Sequence, residues 1–294
     1  MGGKKLIMET PTRGEEVISV DETLAPILKE EIDVFNFSTP EAHVSMNVRT
    51  EVEVYRDLMA DSVDVIVGTR KLRPDEEAAL KRLLLKPITV QVGWDALAFM
   101  VNRENPVKDL TMAQLRDVLS GKVRKWSDLD KEGADQEIVI VFDHPASSTM
   151  RWVKDSVLTG APLTDKVYSS RSNEQVMEYL RTQKYAIGIV GMNWVCNVDD
   201  STTSAYLEEI RPLRLEAPAT TDRKGEFFAP LQAPVAERYY PVVRPVYMIN
   251  REGQLGLGTG FVNFVAGDRG QRVIQKAGLL PFTLHERFVR WQED

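Results

Sequence analysis

The sequence predicts an α/β protein with a doubly wound parallel layer and a second lobe. Three observations carry that prediction. Between Glu16 and Val92, short apolar strands alternate with amphipathic helices in the order EVISV, ETLAPILKEEIDVFNF, HVSMNV, TEVEVYRDLMAD and VDVIVG, the pattern of a βαβαβ unit. The chain has 294 residues, enough at roughly 150 per domain for two cores. After Pro87 the run ITVQVGWDALAFMVN is longer and more apolar than a strand of about five or six residues, so it is expected to leave the first core and enter another.

Later elements follow from local signals. Thr50-Glu-Val-Glu53, Thr111-Met-Ala-Gln114 and Ser172-Asn-Glu-Gln175 each place a hydroxyl residue three positions before an acid or amide, the reciprocal cap that opens a helix. The strand EIVIVF runs into DHPASSTMRWVKDSVL, which puts Ser147, Ser148 and Thr149 at another strand-to-helix turn. From Asp199 to Tyr240 the pattern weakens into polar, Pro-containing sequence, expected as surface excursions and a hairpin. VVRPVYMIN resumes as a strand, and GTGFVNFVAGDRGQRVIQKAGLLPF reads as a helix pair broken at Gly-Asp-Arg-Gly. The expected division is an N-terminal leader over 1–15, a first lobe over 16–92 and 243–294, and a second lobe over 93–242.

Composition removes several function classes. With 37 basic and 44 acidic residues the net charge is −7, and no Lys/Arg-rich block supplies the footprint that nucleic acid requires. No nucleic-acid partner is expected. Cys196 is the single cysteine, which excludes a disulfide scaffold and a Cys-rich zinc site. His43, His144 and His285 stand apart with no ligand spacing, and no cofactor motif is present, so neither metal nor cofactor is expected. No apolar run approaches the roughly 20 residues of a membrane span. The start MGGKKLIMETPTRGEE lacks the apolar core of a secretory signal, as a cytosolic start or a mature exported terminus would.

Four junctions bring short polar side chains to the end of a strand and the start of a helix: Asp21-Glu-Thr23, Arg49-Thr50, Ser147-Ser-Thr149 and Ser172-Asn173. Helix starts expose free N–H groups and a positive dipole end, so several of them meeting in one crevice form an anion cradle. Taken singly, each is a cap far more often than a ligand contact, and only their convergence favours the cradle. Arg70, after the strand VDVIVG, reads either as an oxyanion fork or as a structural salt bridge.

Several segments together resemble the phosphate-specific family of periplasmic solute-binding proteins of ABC transporters. VGWDALAFMVNRENPVKDLTMAQLRDVLSGKVRKWSDL is similar to the start of that family's second lobe, EYLRTQKYAIGIVGMNWV to its AIGYVG segment, and YYPVVRPVYMINREGQ with GFVNFVAGDRGQRVIQKAGLLPF to its return crossing and last helices. The resemblance spans roughly Glu16 to Phe282. It implies a two-lobed type II periplasmic binding protein fold with a ligand cleft between the lobes, no enzymatic activity, and a monomer that hands a phosphate-like anion to transporter membrane subunits. It also implies a periplasmic or cell-surface lipoprotein location. Carried over residue by residue, the ligand-binding positions are Glu22, Thr23, Thr50, Thr69, Arg70, Asp143, Ser147, Ser148 and Thr149. Thr69 stands where the family has an Asp that takes a proton from phosphate, and Asp143 near its neutralising Arg, so Arg70 or Arg151 would have to turn inward to balance the charge. Two further readings share the fold. One is a sensory or adaptor homologue with altered or lost phosphate recognition; the other is an enzyme using Glu22, Asp143 or His144.

Overall fold

The computed structural model describes residues 10–130, 133–197, 201–253 and 255–283. The first elements alternate as expected: β1 (Gly14–Asp21), α1 (Ala25–Ser38), β2 (Ala42–Arg49), α2 (Glu51–Met59), β3 (Val65–Gly68) and α3 (Pro74–Arg82). Of these, α3 has no counterpart in the sequence reading. The apolar run is a single strand, β4 (Ile88–Asn102). Then come β5 (Asp109–Leu110), α4 (Met112–Leu119), β6 (Val139–Phe142), α5 (Ser148–Trp152), β7 (Val167–Ser169), α6 (Asn173–Thr182) and β8 (Ala186–Gly191). The weakly patterned stretch holds α7 (Ser201–Glu209), β9 (Ile210–Pro212), β10 (Arg214–Glu216), β11 (Phe227–Phe228) and α8 (Gln232–Ala236). The expected pairing appears there as antiparallel β10 and β11. The chain returns through β12 (Val243–Asn250) to α9 (Leu257–Ala266), α10 (Asp268–Lys276) and β13 (Leu280–Pro281). The break between α9 and α10 falls at Gly267. Residues 1–9 of the expected leader, and 284–294 with His285, lie outside the described residues.

The strands lie in the order β2-β1-β3-β12-β4-β8-β6-β7. On one side β1 pairs in parallel with β2 and β3; on the other β6 pairs in parallel with β7 and β8. Antiparallel β12 and β4 join the two halves. The length of β4 has a structural reason: residues 88–96 pair with β12, and residues 97–100 pair with β8. One strand therefore serves both lobes. Arg244 of β12 stands directly opposite Asp95 of β4 at this crossing.

Caps fix where the helices start. Thr50 and Thr111 form the reciprocal boxes, with the Thr111 hydroxyl accepting from the Gln114 amide at 3.1 Å and Gln114 Oε1 accepting from the Thr111 amide at 2.9 Å. Ser147 and Ser172 accept from the Met150 and Gln175 amides at 3.1 and 3.2 Å. Each such cap stabilises its helix by about 1 kcal/mol.

One core residue breaks the burial rule. Glu31 lies on the face of α1 that buries Ile27, Leu28, Ile32 and Phe35, and neither carboxyl oxygen has a hydrogen-bond partner among the described residues. Burial pushes its pKa up to about 9. Because the folded value exceeds the ordinary one, the native state holds the proton more tightly, and stability falls as pH rises from about 4.5 toward 9. Glu31→Leu is expected to stabilise the protein by about 1–3 kcal/mol, the cost of a buried unpaired polar group, with a gain that grows with pH. Urea midpoints at pH 6 and pH 8 measure it; a lower midpoint for the variant at both would contradict the assignment.

Candidate functional site

Parallel strands of both halves aim their carboxyl ends at one junction, so the loops that follow them meet there. After β1, Asp21 Oδ1 accepts from the Thr23 amide at 3.1 Å and starts a short turn. Thr23 is fully buried. Its hydroxyl lies 3.5 Å from Ser148 Oγ and 3.4 Å from Thr149 Oγ1, across the junction. The Trp194 indole donates to the Thr23 carbonyl at 2.9 Å. Gly191, the last residue of β8, permits this approach, since a Cβ there would come within 2.7 Å of Thr23 Cγ2.

Charged groups surround the hydroxyls. Glu51, at the start of α2, accepts from Arg151 Nε at 2.5 Å and Nη2 at 2.9 Å. The same Nη2 donates to Thr69 Oγ1 at 2.9 Å, and Thr69 donates to Glu51 Oε1 at 3.1 Å. Arg244 is wholly buried; its Nε donates to Asp95 Oδ2 at 2.8 Å and its Nη1 to Ser148 Oγ at 3.0 Å. Asp95 Oδ1 in turn accepts from the Met192 amide at 3.0 Å. Glu22 accepts from both the backbone and the side-chain amide of Asn173, whose Nδ2 also reaches Asp143 Oδ2 at 3.5 Å.

The two arginine pairs are each internally neutral, which leaves Asp21, Glu22 and Asp143 without an ion pair of their own within 4 Å among the described residues. Burial, reinforced by the Glu51 carboxylate, pushes Asp21 up to about 7. Burial and then Asp143 push Glu22 up to about 7, and burial raises Asp143 as well. These acids therefore hold protons further toward neutral pH than ordinary carboxyls. Asp21 Oδ2, Asp143 Oδ1, Asn173 Oδ1 and both amide atoms of Asn193 are buried with no hydrogen-bond partner among the described residues. Buried polar atoms are nearly always satisfied, so a concentration of exceptions at one junction makes it the candidate site.

Of the nine positions carried over from the resemblance, Thr23, Thr69, Asp143, Ser147, Ser148 and Thr149 are buried at this junction, with Glu22 at its edge. Two lie differently. The Thr50 hydroxyl donates to Glu53 at 2.8 Å within its own cap. Arg70 pairs with Glu76 through two hydrogen bonds of 2.7 and 2.8 Å and stacks 3.4 Å over the Tyr55 ring, which is the salt-bridge alternative. Among the described residues no group of His, Cys, Asp or Glu is placed to hold a metal ion, and no helix is long and apolar enough to cross a membrane.

Sequence reasoning missed Glu51, Asp95 and Arg244. A signal for two of them was present: Asp95 in VGWDALAF and Arg244 in VVRPVYMIN are lone charges inside apolar strand runs, and a buried charge demands a partner. Glu51 puts a carboxylate beside Thr69, and Arg151 and Arg244 bring guanidinium groups to the turn that follows Asp143.

Two α/β lobes joined by two crossing strands, with polar loops facing one another across the junction, define the class of two-lobed solute-binding folds. The chain belongs to the PBP superfamily, whose domain model matches residues 8–269. It is 22% identical over 253 residues to the phosphate-binding protein PstS of Staphylococcus epidermidis, covering 85% of this chain and 73% of that one. The PstS of Staphylococcus aureus strain USA300 is 21% identical over 270 residues, 90% of this chain and 78% of that one. A Clostridium perfringens protein assigned as a phosphate ABC transporter substrate-binding protein, solved with bound phosphate, superposes with a TM-score of 0.76 at 21% identity over 92% of this chain and 100% of that one. An ABC-type phosphate transport receptor of Vibrio cholerae gives 0.66 at 18% identity over 91% and 100%.

Proposed function

We propose that this protein is an extracytoplasmic solute-binding protein that takes phosphate, or a closely related small oxyanion, for an ABC transporter. The observation that carries the reading is the meeting of the Thr23, Thr69, Ser148 and Thr149 hydroxyls with the Arg151 and Arg244 guanidinium groups at one buried junction. The PstS relatives and the phosphate-bound neighbour support it. In this reading the arginines and hydroxyls donate to the anion, while the Glu51 carboxylate beside Thr69 accepts from its O–H group. The lobes, residues 16–92 with 243–294 and residues 93–242, close by bending at β4 and β12, and the ligand stabilises the closed form through contacts to both. The protein acts as a carrier rather than an enzyme. It works as a monomer in the periplasm or as a cell-surface lipoprotein, and its partners are transporter membrane subunits.

A carboxylate acceptor makes the site selective for protonated anions. Sulfate at neutral pH has no O–H to give, and a buried acceptor left without a donor costs about 1–3 kcal/mol. Orthophosphate is therefore expected to bind at least roughly ten-fold more tightly than sulfate, read by isothermal titration at one pH. Equal affinity for the two, or no heat from either with a folded protein, would remove this reading.

A further inference from the structure

Outside the hydroxyl cluster, the two facing sides of the junction border a second, partly open space. A cavity of about 420 Å³ lies between α2 and the loop after β3 on one side, and the Pro145–Asp155 segment on the other. It adjoins the inner site through Glu51, Ser147 and Arg151, which belong to both. Its size falls within the roughly 300–1,000 Å³ typical of organic ligand pockets.

Its charge differs from that of the chain as a whole. Five cationic side chains line it against three acidic ones, in a protein of net charge −7. The three acids are engaged: Glu51 and Asp155 by Arg151, and Glu76 by Arg70. Arg56, Arg73 and Lys154 line the same cavity and have no ion-pair partner within 4 Å among the described residues. Arg56 and Arg73 come from the first lobe and Lys154 from the second, so closure brings like charges together. An anion bridging them would offset that repulsion in the closed form alone, the differential contact that drives closure.

We infer that this outer cavity receives the second anionic group of a two-headed ligand, a phosphate monoester bearing a carboxylate, whose phosphoryl group enters the inner hydroxyl cluster. The inference rests on the oxyanion reading of the inner site. Arg73 and Lys154 hold the outer carboxylate from opposite lobes, and the Arg70–Tyr55 stack forms a flat wall beside the ligand's carbon skeleton.

Isothermal titration with orthophosphate, glycerol 3-phosphate and 3-phosphoglycerate tests it on the wild-type chain and on the double variant Arg73→Gln/Lys154→Gln. In the wild type, 3-phosphoglycerate is expected to bind about ten-fold more tightly than glycerol 3-phosphate, the gain of roughly one charge-assisted contact. The double variant is expected to lose that margin and keep its orthophosphate affinity. Equal affinity for the two esters, or a margin that survives in the double variant, overturns the inference while orthophosphate binding leaves the inner site standing. Absence of binding by all three probes overturns both.

Discussion

Arg244→Met is expected to destabilise the protein by about 3–5 kcal/mol, the cost of stranding a buried charge by deleting its partner. Arg244 and Asp95 are both fully buried, they face one another across the two crossing strands, and Asp95 has no other cation within 4 Å among the described residues. The Arg244 guanidinium also donates to Ser148, so the loss reaches the turn that opens α5. If the stranded charge is the cause, Arg244→Met/Asp95→Asn should recover most of the stability, since the substituted side-chain amide carries no charge and its oxygen can still accept from the Met192 backbone amide. Urea unfolding at pH 7 measures both variants. A single variant within about 1 kcal/mol of wild type, the scale of a surface pair, would show that the pair does not hold the crossing together.

The second large effect is a dependence of stability on pH. Asp21 has its pKa raised from 3.8 to about 7 by burial and by Glu51. The native state binds this proton more tightly than the unfolded chain, so the contribution is complete below about pH 4 and is lost as pH rises through about 7. A shift of about three units corresponds to roughly 4 kcal/mol. Glu22 acts in the same direction between 4.5 and about 7. Asp21→Asn keeps an acceptor for the Thr23 amide and removes the titration. The margin by which the variant exceeds wild type should widen as pH rises from 5 to 8. Parallel stability curves for the two proteins across this range would exclude Asp21 as the source. Phosphate affinity should decline over the same interval, because ionised Asp21 and Glu22 repel an anion that their protonated forms tolerate.

Much of the fold was legible because its signals are local. Alternating apolar runs located β1, α1, β2, α2 and β3, hydroxyl caps located α2, α4 and α6, and the overlong run at 88–102 identified the strand that serves both lobes. The weakly patterned region hid α7, whose sequence STTSAYLEE is rich in residues with low helix preference and is held by its packing on α6 and β9. α3 was missed for a different reason: only Leu80 of PDEEAALKR is buried, which leaves no apolar stripe to read.

The site divides along the same line. Its Thr23, Ser148 and Thr149 hydroxyls could be found from the strand-to-helix junctions, each of which is a short-range pattern, whereas Thr69 came only from the family resemblance. The pairing of its charges could not. Glu51 and Arg151 are separated by 100 positions and Asp95 and Arg244 by 149, and which guanidinium reaches which carboxylate depends on how the lobes meet. Arg70 and Arg151 looked alike as candidates, yet one is bound to Glu76 six residues on and the other turns to Glu51 and Thr69. Sequence alone determined the alternation of elements, the caps and the polar character of the loops, because those follow from the periodicity and hydrogen bonding of neighbouring residues. Tertiary structure decided the charge balance of the cleft, because burial and the distance between groups remote in the chain govern whether an acid is ionised and which cation it meets.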